Sequence, residues 1–155
     1  MTHVPSTDVT LGESPGKTYF EDLEVGDRSP MLEISDIKVS DFVRYAGASG
    51  DFNPLHYDHD FTTSQGYDDV FAMGMLNTAF LSNVVVEWLG LSTVTHYRTQ
   101  FDAIAWPGDD LTGYAEVASV DDDDASVTCD LVMENGEGER VISGTVSADL
   151  PTRDK

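Results

Sequence analysis

Basic residues are scarce in this chain: 8 Lys and Arg stand against 29 Asp and Glu in 155 residues, a formal net charge of −21 at pH 7. A nucleic-acid-binding surface requires a basic patch or stripe, so the composition argues against that class of partner. Acidity of this kind is typical of proteins that stay hydrated in concentrated salt, and we interpret the chain as halophilic. An ordinary acidic protein is the alternative.

Cysteine is almost absent as well, since Cys129 stands alone. It cannot form an intramolecular disulfide or a paired-cysteine metal or redox site, which favours an intracellular, cytoplasmic location. Long apolar runs are also missing. The most apolar stretch, 71–91, contains Asn77, Asn83 and Glu87, which a lipid-exposed span would bury at a cost of several kcal/mol. We therefore expect a soluble protein with no membrane partner.

A packed core is nevertheless available, because 40% of the residues are hydrophobic. The length fits one domain of ordinary size. Residues 1–18 are polar and lack the apolar segment of a secretory signal, which predicts a flexible N-terminal tail. We expect a single domain over 19–150 and a C-terminal tail over 151–155.

The second half of the chain predicts an antiparallel sheet of at least four strands. Apolar and polar residues alternate in its clearest strand, and Asn135-Gly136 is typical of a tight hairpin turn with positive φ at both positions. The acidic run at 121–124 is interpreted as a solvated turn. The strands are predicted at 93–104, 111–120, 127–133 and 142–150.

The first half predicts helices. Ser40 is the expected N-cap of a short helix that ends near Gly47 or Gly50, and 71–89 predicts one long helix, apolar almost all the way round. Between them, the segment 50–70 shows neither helical nor strand periodicity, yet its aromatic residues indicate that it is packed. A curved antiparallel sheet wrapped around one central helix satisfies all of these segments. This is the α+β arrangement of the hotdog fold.

Small side chains recur every four residues along the predicted central helix, at Gly74, Thr78 and Ser82. They form a narrow stripe on one helix face. Two interpretations stay open: close packing against a strand, or the lining of a substrate channel.

Asp51 and His56 lie five positions apart around Pro54. A proline-stiffened bend can turn both groups toward one water, and shared proton transfer of this type is worth roughly 10² to 10⁴ in rate. The spacing alone is weak, because an Asx turn beside an unrelated histidine gives the same pattern. His59 and His96 could join His56 as metal ligands, but no matching cysteine or carboxylate pattern accompanies them, so we expect no metal site.

The wider context of this pair is more specific. Gly-Asp-Phe-Asn-Pro-Leu-His-Tyr-Asp at 50–58 closely resembles the hydratase motif of the MaoC-like family, which contains the R-specific enoyl-CoA hydratases. Residues 19–27 resemble the opening strand and turn of the family, 74–76 the start of its central helix, and 107–111 its later Pro-Gly-Asp-x-Leu turn. Arg98 lies where these proteins often carry an arginine. Together the matches cover about residues 19–150.

The resemblance implies a hotdog fold and an acyl-CoA substrate lying in a tunnel at the interface of a homodimer or larger homo-oligomer, with no cofactor. It implies that Asp51 and His56 are catalytic, held beside the water that adds to C2=C3 of a trans-2-enoyl thioester. It places Gly74 as the amide that binds the thioester oxygen. That role is physically sound, because addition at C3 builds enolate charge on that oxygen and a helix N-terminus offers a donor for it.

Three substrate-binding residues follow from the same resemblance. Asn53 corresponds to a motif asparagine that orients the loop or the pair, and Ser82 to a small polar position near the acyl channel. For Arg98 we expect a cationic patch at the tunnel mouth, with Arg44 or Lys38 as helpers, which attracts the phosphates of CoA; a strand-face ion pair is the alternative. One departure stands out. The family commonly has a histidine before the helix glycine, and this chain has Met73.

These residues predict a hydro-lyase that adds water to trans-2-enoyl-CoA to give (3R)-3-hydroxyacyl-CoA, or removes it, in fatty acid or polyhydroxyalkanoate metabolism. Two alternatives stay open. One is a hotdog thioesterase, in which water attacks the carbonyl carbon, and the other is a non-catalytic protein that binds acyl thioesters. The complete motif favours hydration, whereas Met73 is the feature that supports a non-catalytic protein.

Overall fold

Residues 7–14 and 16–153 are described by the computed structural model. The strands are β1 (Asp8–Leu11), β2 (Leu32–Ser35), β3 (Val94–Phe101), β4 (Leu111–Asp121), β5 (Ser126–Asn135) and β6 (Arg140–Asp149), and the helices are α1 (Val39–Ser49), α2 (His59–Ser64) and α3 (Gly74–Leu89). The strands form one antiparallel sheet in the order β1-β2-β4-β5-β6-β3, so β1 and β3 are its edges. No helix in the described ranges is long and apolar enough to cross a membrane.

The core lies between α3 and the inner face of the sheet. Val127, Cys129, Leu131 and Met133 of β5 are each at most 1% exposed, as their period-two alternation predicts. They pack in one cluster with buried residues of α3, among them Leu81. A single long helix held against a curved antiparallel sheet confirms the predicted α+β hotdog fold.

The β5–β6 hairpin differs from the predicted two-residue turn. Residues 136–139 connect the strands, and within this loop the positive φ belongs to Gly138, at 80°. The Oδ1 of Asn135 accepts from the amides of Glu137 and Glu139 at 3.1 and 2.9 Å. Because one side chain satisfies both loop amides, the chain takes a longer loop. The acidic run at 121–124 is a solvated turn, as predicted.

The short helix α1 begins earlier than its predicted cap. Its N-cap is Lys38 and not Ser40, and it ends at Gly50, where φ is 79°. A contact with Thr7 replaces a side-chain cap: the Thr7 hydroxyl donates to the carboxylate of Asp41 and accepts from the Lys38 amide at 3.1 Å. A partner so distant in the sequence leaves no local signal.

The central helix begins at Gly74 and not at Phe71. The amide of Phe71 donates to the carbonyl of Leu55 at 3.4 Å, and that of Ala72 donates to Ala105 at 3.0 Å. These two bonds hold the backbone before Gly74 in an extended path.

The segment 50–70, for which no regular structure was expected, contains α2 and a short 3-10 helix at Pro54–His56. Asp58 caps α2, since its Oδ1 accepts from the amide of Phe61 at 3.0 Å. The cap stabilises the first turn, so a helix of six residues forms although its sequence shows no apolar periodicity.

Part of the predicted N-terminal tail is ordered. Residues 8–11 form β1, which pairs antiparallel with β2. Its side chains are mostly exposed, so backbone bonds hold it and no apolar pattern marks it in the sequence. Residues 20–22 form a 3-10 helix where the resemblance predicts a strand. Residues 1–6, 15 and 154–155 lie outside the described residues.

Candidate active site

The turn that carries the predicted pair is fixed by local hydrogen bonds. Asn53 caps its 3-10 helix, because Oδ1 of Asn53 accepts from the amide of Leu55 at 3.2 Å. Pro54 occupies the first helical position, where an amide donor would have no partner. Tyr57 donates its hydroxyl to the carbonyl of Phe52 at 2.9 Å. The bend is therefore a defined structure, and Asn53 orients it.

His56 is buried and held in one orientation. Its side chain is 10% exposed, and its Nδ1 lies 2.7 Å from the carbonyl oxygen of Phe71. A carbonyl oxygen can only accept a hydrogen bond, so Nδ1 carries the proton that it donates. In the neutral ring this leaves the lone pair on Nε2, which is what a general base requires.

Asp51 lies on the Nε2 side of that ring. Its Oδ2 is 3.9 Å from Nε2 of His56, too far for a direct hydrogen bond, but one water at about 2.8 Å from each atom can bridge them. Its Oδ1 accepts from the amide of Asn53 at 3.3 Å, and its own amide donates to the hydroxyl of Ser49 at 3.2 Å. The carboxylate and the imidazole thus point toward one place.

Gly74 is the first residue of α3, so its amide has no acceptor inside the helix. It follows Phe71, the hydrogen-bond partner of His56, by three residues, a reach of at most about 11 Å. A Cβ at Gly74 would lie 2.7–2.8 Å from three ring carbons of Phe101. A free amide at a helix N-terminus suits an oxygen that gains negative charge.

Met73 does not serve as the polar brace that a histidine would supply at this position. Its side chain is 2% exposed and belongs to the hydrophobic core. His56 is braced by Phe71 instead, both through the carbonyl and through an edge-to-face ring contact with centroids 5.2 Å apart. The ring of Trp106 packs against Phe71 in turn, at 6.0 Å. Phe71 and Trp106 therefore hold the imidazole of His56 in position.

The first half of the small-residue stripe on α3 packs against β3. The hydroxyl of Thr78 lies 3.1 Å from that of Thr99, and Tyr97 donates its hydroxyl to the carbonyl of Thr78 at 3.1 Å. Burial raises the pKa of Tyr97 to about 12. With the ring of Phe101 against Gly74, these contacts favour the packing interpretation over the channel for Gly74 and Thr78.

Ser82 and Arg98 are not brought together with the pair in the protomer. Ser82 lies about 12 Å along α3 from Gly74, half-buried, and donates its hydroxyl to the carbonyl of Ala79 at 2.8 Å. Arg98 alternates with the inward-facing Tyr97, so its side chain lies on the outer face of the sheet. Across the described ranges, no carboxylate lies within 4.0 Å of Arg98, which removes the ion-pair alternative there.

The predicted helpers of Arg98 are paired elsewhere. Lys38 forms an ion pair with Asp36 and Arg44 one with Asp41, each at 2.8 Å.

His59 and His96, the other two candidate metal ligands, have different surroundings from His56. Nε2 of His59 is 4.0 Å from Oδ1 of Asp69, and His96 is exposed on β3. Within the described part of the chain, no group of three or more His, Cys, Asp or Glu side chains is placed to hold a metal ion.

The candidate site is open to solvent in the single protomer. The side chain of Asp51 is 47% exposed, and Phe52, Met75 and Phe101 are 62%, 55% and 54% exposed. Five grooves of 340 to 540 Å³ on the protomer are lined by residues other than these four. Large apolar side chains exposed around polar groups are typical of a surface that receives a ligand or a partner.

Sequence reasoning missed two residues of this site, Phe71 and Phe101. Phe71 acts mainly through its carbonyl, which no residue type can signal. Phe101 lies on the same face of β3 as Tyr97 and Thr99, so a period-two pattern extended to the strand end could have placed it against the helix.

Comparison with known proteins gives several similarities. Residues 24–137 match the profile of the family described as MaoC like domain. A protein of Rhodospirillum rubrum named (R)-specific enoyl-CoA hydratase is 28% identical over 137 residues, which cover 87% of this chain and 93% of the relative. The solved structure of R-hydratase PhaJ1 from Pseudomonas aeruginosa, unliganded, matches with a TM-score of 0.77 at 25% identity, over 94% of this chain and 90% of that one. An (R)-hydratase from A. caviae, involved in PHA biosynthesis, matches with a TM-score of 0.76 at 25% identity, over 84% and 99% of the two chains.

Proposed function

This chain belongs to the MaoC-like domain family, and from that premise we propose that it is a cytoplasmic hydro-lyase of fatty acid or polyhydroxyalkanoate metabolism. The reaction is addition of water to trans-2-enoyl-CoA to give (3R)-3-hydroxyacyl-CoA, or its reversal. Relatives named as hydratases support this reaction class. The observation that carries the proposal is the geometry of His56, whose Nδ1 donates to Phe71 while Nε2 faces Asp51.

In this mechanism Asp51 and His56 hold one water. Nε2 of His56 takes a proton from the water as its oxygen bonds to C3. The electron pair of C2=C3 moves toward the carbonyl, and the oxygen of the thioester gains charge that the amide of Gly74 stabilises. The imidazolium then returns a proton to C2, which completes the addition. Delivery of both groups from one side of the substrate gives a single configuration at C3.

The other predicted residues assist this reaction by binding. Asn53 holds the motif turn, since its Oδ1 caps the 3-10 helix and its amide donates to Asp51. Ser82 lies beside the acyl channel. Arg98, which has no carboxylate partner in the described ranges, attracts the phosphates of CoA.

We further propose that a second copy of the chain covers the site and forms the tunnel for acyl-CoA. Two observations support a homodimer. The apolar side chains of Phe52, which follows Asp51, of Met75, which follows Gly74, and of Phe101, which lies against Gly74, are exposed in the protomer. The eight-residue strand β3 is a sheet edge, whose unpaired backbone groups favour pairing with another strand.

The decisive experiment incubates the protein with crotonyl-CoA in high salt. We expect loss of the enone absorbance and a product that chiral analysis identifies as (3R)-3-hydroxybutyryl-CoA. A thiol-detecting reagent added in parallel reports free CoA, and release of CoA with crotonate, in the absence of any 3-hydroxybutyryl-CoA, would identify a thioesterase. His56→Ala is the control for activity from contaminating enzymes. A folded protein that changes neither signal would exclude the hydro-lyase.

A further inference from the structure

Phe101 ends β3 on the face of the sheet that contacts α3. Along this strand, Tyr97 and Thr99 both bond to Thr78 of the helix. Phe101 continues the same alternation and reaches Gly74, one helical turn before Thr78. Its Cδ1, Cδ2 and Cε2 lie 2.7–2.8 Å from the position that a Cβ of Gly74 would take. The strand end and the helix start therefore meet through a ring and a glycine.

The nearby ring of Phe101, and not the backbone conformation, explains why position 74 is a glycine. Gly74 is not among the residues with positive φ, so an alanine would suit the helix as well or better. A Cβ there would fall 2.7 Å from a ring carbon, whereas carbon atoms in contact stay about 3.5–4.0 Å apart. The glycine thus permits the close approach of Phe101.

The ring of Phe101 faces the same space as the Gly74 amide. Each Cα–Cβ bond of a helix tilts toward its N-terminus, and the free amide of the first residue opens at that same end. A ring at the Cβ position of Gly74 therefore lies beside an oxygen bound about 2.9 Å from the amide nitrogen. More than half of Phe101, 54%, is exposed, which leaves the ring a free surface for a ligand.

We propose that this free surface of Phe101 is a wall against C2 of the bound acyl group, so that Phe101 is a specificity-determining residue that excludes acyl thioesters branched at C2. The inference rests on the proposed function, in which Gly74 binds the thioester oxygen. C2 is bonded to the same carbonyl carbon as that oxygen, so a methyl group on C2 meets the ring. An acyl chain that is straight at C2 passes beside it.

The test compares wild-type protein with Phe101→Ala on two pairs of thioesters. Turnover is measured with crotonyl-CoA and trans-2-methylbut-2-enoyl-CoA. Binding is measured by calorimetry with butyryl-CoA and 2-methylbutyryl-CoA, which are saturated and cannot be hydrated. The matched control is Gln100→Ala, because Gln100 is the preceding residue, points to the opposite face and bonds to Asp102.

One methyl group in an apolar pocket is worth about 10- to 200-fold in discrimination. We expect Phe101→Ala to raise the branched-to-straight ratio by at least about tenfold, both in kcat/KM and in affinity, while Gln100→Ala leaves both ratios unchanged. Should Phe101→Ala fail to fold, Phe101→Leu keeps apolar bulk without the flat ring, and we expect its ratios to rise in the same direction.

Unchanged ratios in a folded Phe101 variant would overturn the proposal, and so would a wild-type protein that accepts both members of each pair equally. The binding pair separates this inference from the proposed function. Suppose that Phe101→Ala changes the binding ratio as expected but the protein hydrates neither enoyl thioester. That result would refute the hydro-lyase and support the role of Phe101 in excluding acyl groups branched at C2. A protein that binds none of the four thioesters would refute both.

Discussion

His56 takes its orientation from a backbone atom, the carbonyl oxygen of Phe71. An acceptor of this kind survives any side-chain substitution at Phe71, so the tautomer of His56 does not depend on the identity of that residue. The ring of Phe71 and the neighbouring Trp106 add packing around the imidazole. His56 is thus held in place without a histidine at position 73.

The proposed catalytic pair is tested by removing each member. In the proposed mechanism Asp51 and His56 hold one water, so Asp51→Ala and His56→Ala should each lower kcat by at least about 10². The double variant should be little worse than the poorer single one, since groups that act as a unit are non-additive. Steady-state kinetics with crotonyl-CoA measure this, and thermal unfolding confirms that the variants fold. A His56→Ala enzyme with nearly wild-type turnover would remove the assignment.

Gly74→Ala should lower catalysis more than stability. The added methyl displaces the ring of Phe101, which is more than half exposed and can move at little cost, and the backbone of Gly74, which lacks a positive φ, accepts alanine. The displaced ring then crowds the amide, and losing an oxyanion donor costs about 10² to 10³ in rate. The measurements are kcat and the thermal midpoint.

The double variant Gly74→Ala/Phe101→Ala identifies the cause of that loss. Recovery of turnover would show that the displaced ring is responsible. No recovery would show that the methyl itself crowds the thioester. A large fall in the thermal midpoint with kcat intact would contradict the role of Gly74 and leave only close packing.

The residues of the motif were predictable because their chemistry is in their side chains. The spacing of Asp51 and His56 was a weak signal that the resemblance of the whole motif strengthened, and Asn53 was named from that resemblance; the structure brings all three into one turn. Phe71 could not be named, because it contributes a carbonyl that every residue has. Arg98 was named because it lies where the family often carries an arginine, and the face of the sheet on which it lies depends on strand register.

At the scale of elements, α3 carries one polar side chain whose burial is incompletely compensated. Asn77 is 2% exposed, and its Oδ1 has no donor within hydrogen-bonding distance among the described residues. A buried polar atom left without a partner costs about 1–3 kcal/mol.

Asn77→Leu should therefore stabilise the fold by about 1 kcal/mol, since leucine has the same branching without the polar atoms. In a chain of this length that raises the thermal midpoint by about 2–4 °C. Asn83→Leu is the matched control, because Asn83 is exposed on the same helix and should change the midpoint little. A midpoint lowered by Asn77→Leu would show that the amide is needed where it is.

The contact between α3 and β3 should weaken at alkaline pH, because the buried phenol of Tyr97 ionises there. Burial raises its pKa from 10.0 to about 12, so the folded protein favours the neutral phenol. This contribution is complete below pH 10.0 and is lost as the pH rises toward about 12. Tyr97→Phe should show a smaller fall in the free energy of unfolding over that window. The control is Tyr67→Phe, which removes an exposed phenol outside the contact between α3 and β3.

The strands were more predictable than the helix ends. Alternation in β5 marks its buried face directly, whereas the first turn of α3 is delayed by bonds from Phe71 and Ala72 to distant carbonyls. Apolar residues continue through 71–73, so the pattern cannot show where the helix begins. The same limit applies to β1, whose pairing with β2 depends on backbone groups alone.

At the scale of the whole molecule, few cations are free to meet an anionic substrate. Among the described residues, five basic side chains pair with carboxylates: Arg28 with Glu116, Lys38 with Asp36, Arg44 with Asp41, Arg140 with Glu134 and Arg153 with Asp22. Lys17 lies over the ring of Tyr19 at 4.8 Å. Among the described residues, Arg98 is thus the cation that we propose for the CoA phosphates in a protein of net charge −21.

Salt should favour substrate binding for the same reason. As salt rises from about 0.1 M to about 1 M, the Debye length falls from about 10 Å to about 3 Å, so repulsion of CoA weakens and KM should fall. A pantetheine thioester, which lacks the nucleotide, should show a much weaker effect. Arg98→Gln should raise KM for the CoA thioester and leave that of the pantetheine thioester unchanged.

The salt series is valid only on samples shown to be folded and of constant oligomeric state at each concentration. Equal salt dependence of the two substrates would mean that salt acts on the fold and not on the phosphates. In that case the role of Arg98 would be abandoned.

The two edges of the sheet differ in length, with four residues in β1 and eight in β3. A short edge strand offers few unpaired backbone groups to a strand of another chain, and a long edge strand offers many. If two copies pair through β3 about a twofold axis, both long edges are consumed and the joined sheet terminates in β1 at each end. Growth then stops after a single step. In such a dimer the segment 8–11 would cover β2 at each end of the joined sheet, and its deletion would leave β2 as the new edge.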